Sequence, residues 1–142
     1  MSVDQVVRKV LVLEDSPFYS KSVGDELYKL SSATFLYEPI IVGSVSEAKE
    51  KISDDIYAII LDCNVPRVEG GSQVSDAGLD YAIELREEYK TKSDLRIAVY
   101  SLVWLNSGQL RDLAEKNIDY ISKIGGGPDM KKVKDCLTKK LN

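Results

Sequence analysis

Five polar side chains follow apolar runs in this sequence, and together they suit one chemistry. Lys9-Val10-Leu11-Val12-Leu13 runs into Glu14-Asp15, Ile56-Tyr57-Ala58-Ile59-Ile60-Leu61 into Asp62, Leu95-Arg96-Ile97-Ala98-Val99-Tyr100 into Ser101, and Ile118-Asp119-Tyr120-Ile121-Ser122 into Lys123. Three carboxylates held close together repel one another, and burying them is costly unless a cation joins them. A hard divalent ion meets that need. Magnesium is the expected cofactor, because it takes a few carboxylates together with waters and a phosphate oxygen. A lysine and a hydroxyl opposite the acids suit the other oxygens of a phosphoryl group. Asp62 is then the reactive group. Taken singly, the same residues have plainer readings: Asp15 as a helix cap, Ser101 as a loop hydroxyl, Lys123 as a solvated charge. It is their joint occurrence at strand ends that argues for a site.

The elements that must position them can be read from the same runs. A short apolar run closed by a turn signal reads as a strand buried on both faces, and its carboxyl end is where open α/β sheets hold ligands. After the first strand, Ser16 caps a helix with Pro17 at its first position, running to about Leu30 with Val23, Leu27 and Leu30 on one stripe. Glu38 to Val42 reads as an edge strand, because Pro39 is tolerated only at a strand start or on an edge. Ser46 is expected to cap a short helix that Asp54-Asp55 closes. Residues 63–76 read as a long loop without periodicity, and Asp76 as the cap of a helix from Ala77 to about Tyr89 with Leu79, Ala82, Ile83 and Arg86 on one side. Thr91 to Asp94 is a turn. Asn106-Ser107 caps a helix through Lys116, and Gly125 to Pro128 leads into a last helix with Met130, Val133, Leu137 and Leu141 as its stripe. Five strands alternating with five helices predict an α/β fold, a single doubly wound (βα)5 domain with a five-stranded parallel sheet in the flavodoxin-like order 2-1-3-4-5. Residues 1–142 read as that one domain, with its core at about 8–140 and no linker to a second.

The composition bounds the function. At 142 residues with net charge −4 and a pI of about 4.9, the chain lacks the basic excess of a dedicated nucleic-acid binder. No apolar run approaches the length of a membrane helix, and no signal peptide is visible, so neither nucleic acid nor membrane is an expected partner and a cytoplasmic location is. Cys63 and Cys136 cannot form a disulfide framework and read as two reduced thiols. Cys63 beside Asp62 has a second reading as a redox sensor, against the commoner one as a small buried residue. The absence of histidine excludes histidine triads, most zinc sites and a phosphohistidine relay within this chain. The lysines from Lys131 to Lys140 read as the solvated face of the last helix, or as a contact for an acidic partner.

Leu13-Glu14-Asp15, Ile60-Leu61-Asp62, Asn64-Val65-Pro66, Gly78-Leu79, Tyr100-Ser101 and Tyr120-Ile121-Ser122-Lys123 resemble the receiver domain (CheY-like) of response regulators in two-component signal transduction. The resemblance implies that Asp62 is the phosphoacceptor. It implies that Glu14, Asp15, Asp62 and the backbone carbonyl of Asn64 hold Mg2+, and that Lys123 pairs with a phosphoryl oxygen. Ser101 and Tyr120 would be the switch pair, Ser101 moving toward the phosphoryl group and Tyr120 turning inward. The implied partners are a sensor histidine kinase or phosphotransfer protein and a downstream effector protein, with a homodimer through the fourth helix, fifth strand and fifth helix as a further expectation. Such a module is no turnover enzyme. It performs only Mg-dependent self-phosphorylation from a phosphodonor and slow self-dephosphorylation.

Three departures stand against that pattern. Arg67 to Ala77 separate Pro66 from Gly78, so the loop at 67–76 is extended, either as a partner-specific or site-covering flap or as a tolerated surface insertion. Ile124, where the family commonly has proline, follows Lys123. Leu102 stands where a small residue is usual, which implies a phosphorylated form longer-lived than in relatives with Ala or Gly there. Two other classes of function stay open beside the receiver: a phosphorylation-independent receiver-like interaction module, and a phosphohydrolase using an aspartyl phosphate. The usual second acid of the latter is replaced by Asn64.

Overall fold

In the computed structural model, residues 5–89, 94–101, 105–124 and 127–140 are described. The first strand, β1 (Val6–Leu13), lies between β2 (Phe35–Val42) and β3 (Ile56–Asp62), and β6 (Arg96–Ser101) and β7 (Asp119–Ile124) extend the sheet beyond β3. All four of these pairings are parallel, which requires crossover connections and accounts for the helices between strands. Period-two alternation along β1 divides the core. Val10 and Val12 face one side of the sheet, Leu11 and Leu13 the other, and all four are fully buried.

Helices α1 (Pro17–Lys29) and α5 (Met130–Thr138) cover the Val10 side, inserting Val23, Leu27, Val133, Cys136 and Leu137. Burying one such leucine contributes roughly 2 kcal/mol. The Leu11 side is covered by α2 (Val45–Lys51), α3 (Ala77–Glu88) and α4 (Ser107–Glu115), through Ala48, Leu79, Leu85 and Leu113. Among the described residues no helix is long and apolar enough to cross a membrane.

Several expectations are corrected. The five parallel strands keep the order expected of them, but the sheet has six. The chain beyond β7 returns as β8 (Gly127–Pro128), antiparallel, with Lys123 opposite Pro128 and Ile124 opposite Gly127. The loop at 63–76 is not irregular throughout. It carries a small antiparallel pair, β4 (Val65–Pro66) and β5 (Gln73–Val74), whose two-residue strands are too short to leave a periodic signal. This hairpin is anchored at its base: Ser46 N–H donates to the Arg67 carbonyl at 2.9 Å, and Arg67 lies 3.8 Å from Asp80 on α3.

Ser44, not Ser46, caps α2, its Oγ accepting from Glu47 N–H. Asp76 precedes α3 with φ 61° and makes no side-chain cap bond. Its N–H is taken by Asn64 Oδ1 at 2.9 Å, which holds it in the left-handed region that Asp tolerates. Asn106 caps α4 as expected, in a capping box with Gln109. The inward residues of α3 include Tyr81 and Leu85, while Ile83 and Arg86 are only partly buried. The expected turn at 91–94, the leucines Leu102 and Leu141, and Gly125 and Gly126 fall wholly or partly outside the described residues.

Pro39 sits within β2, on the open edge of the sheet. Carbonyls of Thr34 and Val42 accept from Val6 and Glu14 of the β1 segment, so the even-numbered residues of β2 turn their backbone toward β1 and Pro39 turns outward.

Candidate functional site

Four strand ends meet at one edge of the sheet. Hydrogen bonding of Glu14 N–H to the Val42 carbonyl at 3.0 Å carries the β1–β2 ladder one residue past β1 and fixes Glu14. Glu14 and Asp62 are buried, at 3% and 2% exposure, while Asp15 keeps partial exposure. One carboxylate oxygen from each of Glu14, Asp15 and Asp62 lies within 4.8 Å of the others, a donor set that fits one hard divalent cation.

Both oxygens of Asp62 have donors. Asn64 N–H reaches Oδ1 at 3.0 Å, and Lys123 Nζ reaches Oδ2 at 3.0 Å. Burial raises the Asp62 carboxyl above its ordinary range, while the Asn64 N–H and the Lys123 ammonium pull it back. Glu14 is pushed up to about 7, first by burial and then by the charge of Asp62. Two acids displaced in the same direction show that this pocket resists holding three negative charges without added positive charge.

The approach of α3 to this edge depends on Gly78. A Cβ there would stand 1.9 Å from the Asp62 carbonyl oxygen, and the Gly78 N–H donates to the Cys63 carbonyl at 2.9 Å. Cys63 N–H in turn donates to the Tyr100 carbonyl at 2.9 Å. The start of α3, the end of β3 and the end of β6 are thus locked together around Asp62.

Ser101, at 5% exposure, ends β6 beside this cluster, and the Cys63 side chain is within its hydrogen-bonding reach. The Cys63 thiol is fully buried and pushed up to about 12, chiefly by burial. It is protonated at neutral pH and packs as a small core residue, which disfavours the redox-sensor reading. Tyr120, on β7, is half-buried against the Leu11 side of the core. It lines a groove of about 460 Å3 between α4, β7 and α5.

Tyr100 is a member of the site that strand-end reasoning did not single out. It is fully buried, and its hydroxyl donates to Glu14 Oε1 at 3.1 Å, while Ser16 N–H donates to Oε2 at 3.2 Å. Lys123 Nζ stands 5.5 Å from the centre of its ring, within cation–π range. The available signal was a tyrosine in a wholly buried strand, whose hydroxyl requires a partner. Tyr100→Phe should cost about 1 kcal/mol of stability at pH 5 and about 2 kcal/mol at pH 8, because a hydrogen bond to an ionised carboxylate is the stronger one. Urea midpoints at the two pH values check this, and an equal loss at both would contradict it.

No protein-family model matches the chain, and no curated protein matches it by sequence. Solved structures do. The non-phosphorylated HemR receiver domain from Leptospira biflexa superposes with a TM-score of 0.67 at 17% identity, covering 94% of this chain and 96% of that one. A response regulator receiver protein from Pseudoalteromonas atlantica gives 0.58 at 17% identity, covering 81% and 84%. The receiver domain of the histidine kinase CKI1 from Arabidopsis thaliana, complexed with Mg2+ and BeF3−, gives 0.55 at 19% identity, covering 92% and 87%. The fold of this chain is that of a receiver domain.

Proposed function

We propose that this chain is a response-regulator receiver module, switched by phosphorylation of Asp62. The observation that carries the reading is the convergence of Glu14, Asp15 and Asp62, with carboxylate oxygens within 4.8 Å and Lys123 bonded to Asp62 at 3.0 Å. Glu14, Asp15, Asp62 and the Asn64 carbonyl would hold Mg2+, which would neutralise charge on a phosphoryl group in transit. In the step itself an Asp62 carboxylate oxygen attacks the phosphorus of the donor. A new O–P bond forms, giving an acyl phosphate, and the bond from phosphorus to the donor's leaving group breaks with its electron pair. Lys123 exchanges its bond to Asp62 for one to a phosphoryl oxygen, and the Ser101 hydroxyl supplies another donor.

With no histidine among these 142 residues, the phosphoryl group comes from a histidine kinase or phosphotransfer domain outside them, or from a small phosphodonor. The readout is an effector protein, or a second copy, at the groove between α4, β7 and α5. Tyr120 lines that groove, so a change in its packing alters the surface a partner meets. The protein would turn over no substrate beyond its own slow loss of phosphate.

Incubation with magnesium and acetyl phosphate should give one phosphoryl adduct by mass spectrometry, and Asp62→Ala should abolish it. If no adduct forms with acetyl phosphate or with any histidine kinase, the phosphorylation-independent interaction module becomes the better reading.

A further inference from the structure

At the opposite end of the sheet, on the side covered by α1 and α5, lies a second concavity of about 470 Å3. Its cations are Arg8, Arg96, Lys134, Lys139 and Lys140, and among the described residues no carboxylate lines it. That is unexpected on a chain of net charge −4. It also gives the lysines of the last helix a setting more specific than a solvated face.

The arginines are built in. Arg8, Tyr57 and Arg96 come from β1, β3 and β6, three neighbouring strands. The guanidinium carbons of Arg8 and Arg96 stand 4.4 and 4.5 Å from the Tyr57 ring centre. Arg8 also stacks 3.4 Å from the Phe35 ring and donates to Tyr37 Oη at 3.2 Å. The Tyr57 hydroxyl is tied down by donating to the Leu137 carbonyl at 2.6 Å.

Arg96 donates to the Lys139 carbonyl at 2.7 Å and to the Asp94 carbonyl at 3.3 Å, and its Nε is buried with no hydrogen-bond partner. Lys139 is neutralised by Asp119 at 2.7 Å. Among the described residues neither arginine, nor Lys134, nor Lys140 makes an ion pair. The stacked rings hold the guanidinium groups in place, but rings and carbonyls supply neither positive charge with an anion among the described residues. Two ring-stacked guanidinium groups, lysines around them and room for more than a single ion are suited to phosphate oxygens.

We propose that this basic cavity is a second ligand site, separate from Asp62, that takes a small organic phosphate carrying a di- or triphosphate group.

Pyrophosphate is the probe. It is titrated calorimetrically into the full chain in EDTA, so that metal-dependent binding at the acidic edge is silent. Saturable binding at one site is expected. Arg8→Gln and Arg96→Gln should each weaken it about tenfold, the effect of losing one charge-assisted hydrogen bond, and Asp62→Ala should leave it unchanged. If either arginine variant fails to fold, the exposed double variant Lys134→Gln/Lys140→Gln replaces it and should weaken binding about threefold or more through charge alone. Amide chemical shifts should move around Tyr57 and Leu137, not around Lys123. Absence of saturable binding, binding indifferent to these substitutions, or tighter binding of a hexaglutamate peptide than of pyrophosphate would overturn the assignment.

Discussion

With metal withheld by EDTA, the protein should become less stable as pH rises from 5 to 8, and Glu14 should account for roughly 3 kcal/mol of the loss. Its carboxyl is raised from an ordinary 4.5 to about 7, chiefly by burial. An acid with a raised folded value binds more protons in the native than in the unfolded state over that interval. Its stabilising contribution is therefore complete below about 4.5 and is lost as pH climbs through about 7. Asp62 is raised for the same principal reason, so its own contribution to pH dependence has the same sign.

Glu14→Gln, which keeps an acceptor for Tyr100 and cannot ionise, should flatten most of the dependence and be the more stable protein at pH 8. Magnesium at pH 8 should restore part of the loss in the wild type and little in the variant. Urea midpoints across the range decide the matter, and matching profiles for the two proteins would contradict the role given to Glu14.

The second large effect is expected at Gly78. No unusual backbone angle reserves this position for glycine; what reserves it is the Asp62 carbonyl, 1.9 Å from where a Cβ would be. That neighbour is backbone at the end of a buried strand and cannot swing aside. Gly78→Ala must push α3 away from β3 or break the Gly78–Cys63 hydrogen bond, at a cost of about 3 kcal/mol. Displacing Asp62 should also slow formation of the phosphoryl adduct in whatever fraction stays folded. A stability change under about 0.5 kcal/mol, the range of an ordinary surface substitution, would show that the helix yields more easily than its contacts imply.

The parts of this molecule that were legible in the sequence are those where one residue does one local job. Asp62 and Glu14-Asp15 stop apolar runs, and a polar residue ending a buried strand marks its position by contrast. Pro17 and Asn106 mark helix starts through their own chemistry. Legibility failed where structure depends on a distant partner or on very few residues. Tyr100 and Glu14 are 86 positions apart, and nothing local in either announces the other. The paired strands Val65–Pro66 and Gln73–Val74, and the short return at Gly127–Pro128, are too brief to alternate. Asp76 has the composition of a cap but is held in a left-handed conformation by Asn64, a contact made across the whole loop.

One feature of β2 bears on how copies of this protein can meet. A free sheet edge invites another chain to add a strand, the usual route to aggregation. Here the middle of that edge is Pro39, whose backbone faces outward and has no hydrogen to donate. An arriving strand would find its ladder interrupted at the point where it most needs to be continuous. Extension of the sheet by a second copy at this edge is thereby discouraged, and any contact there is left to side-chain surfaces.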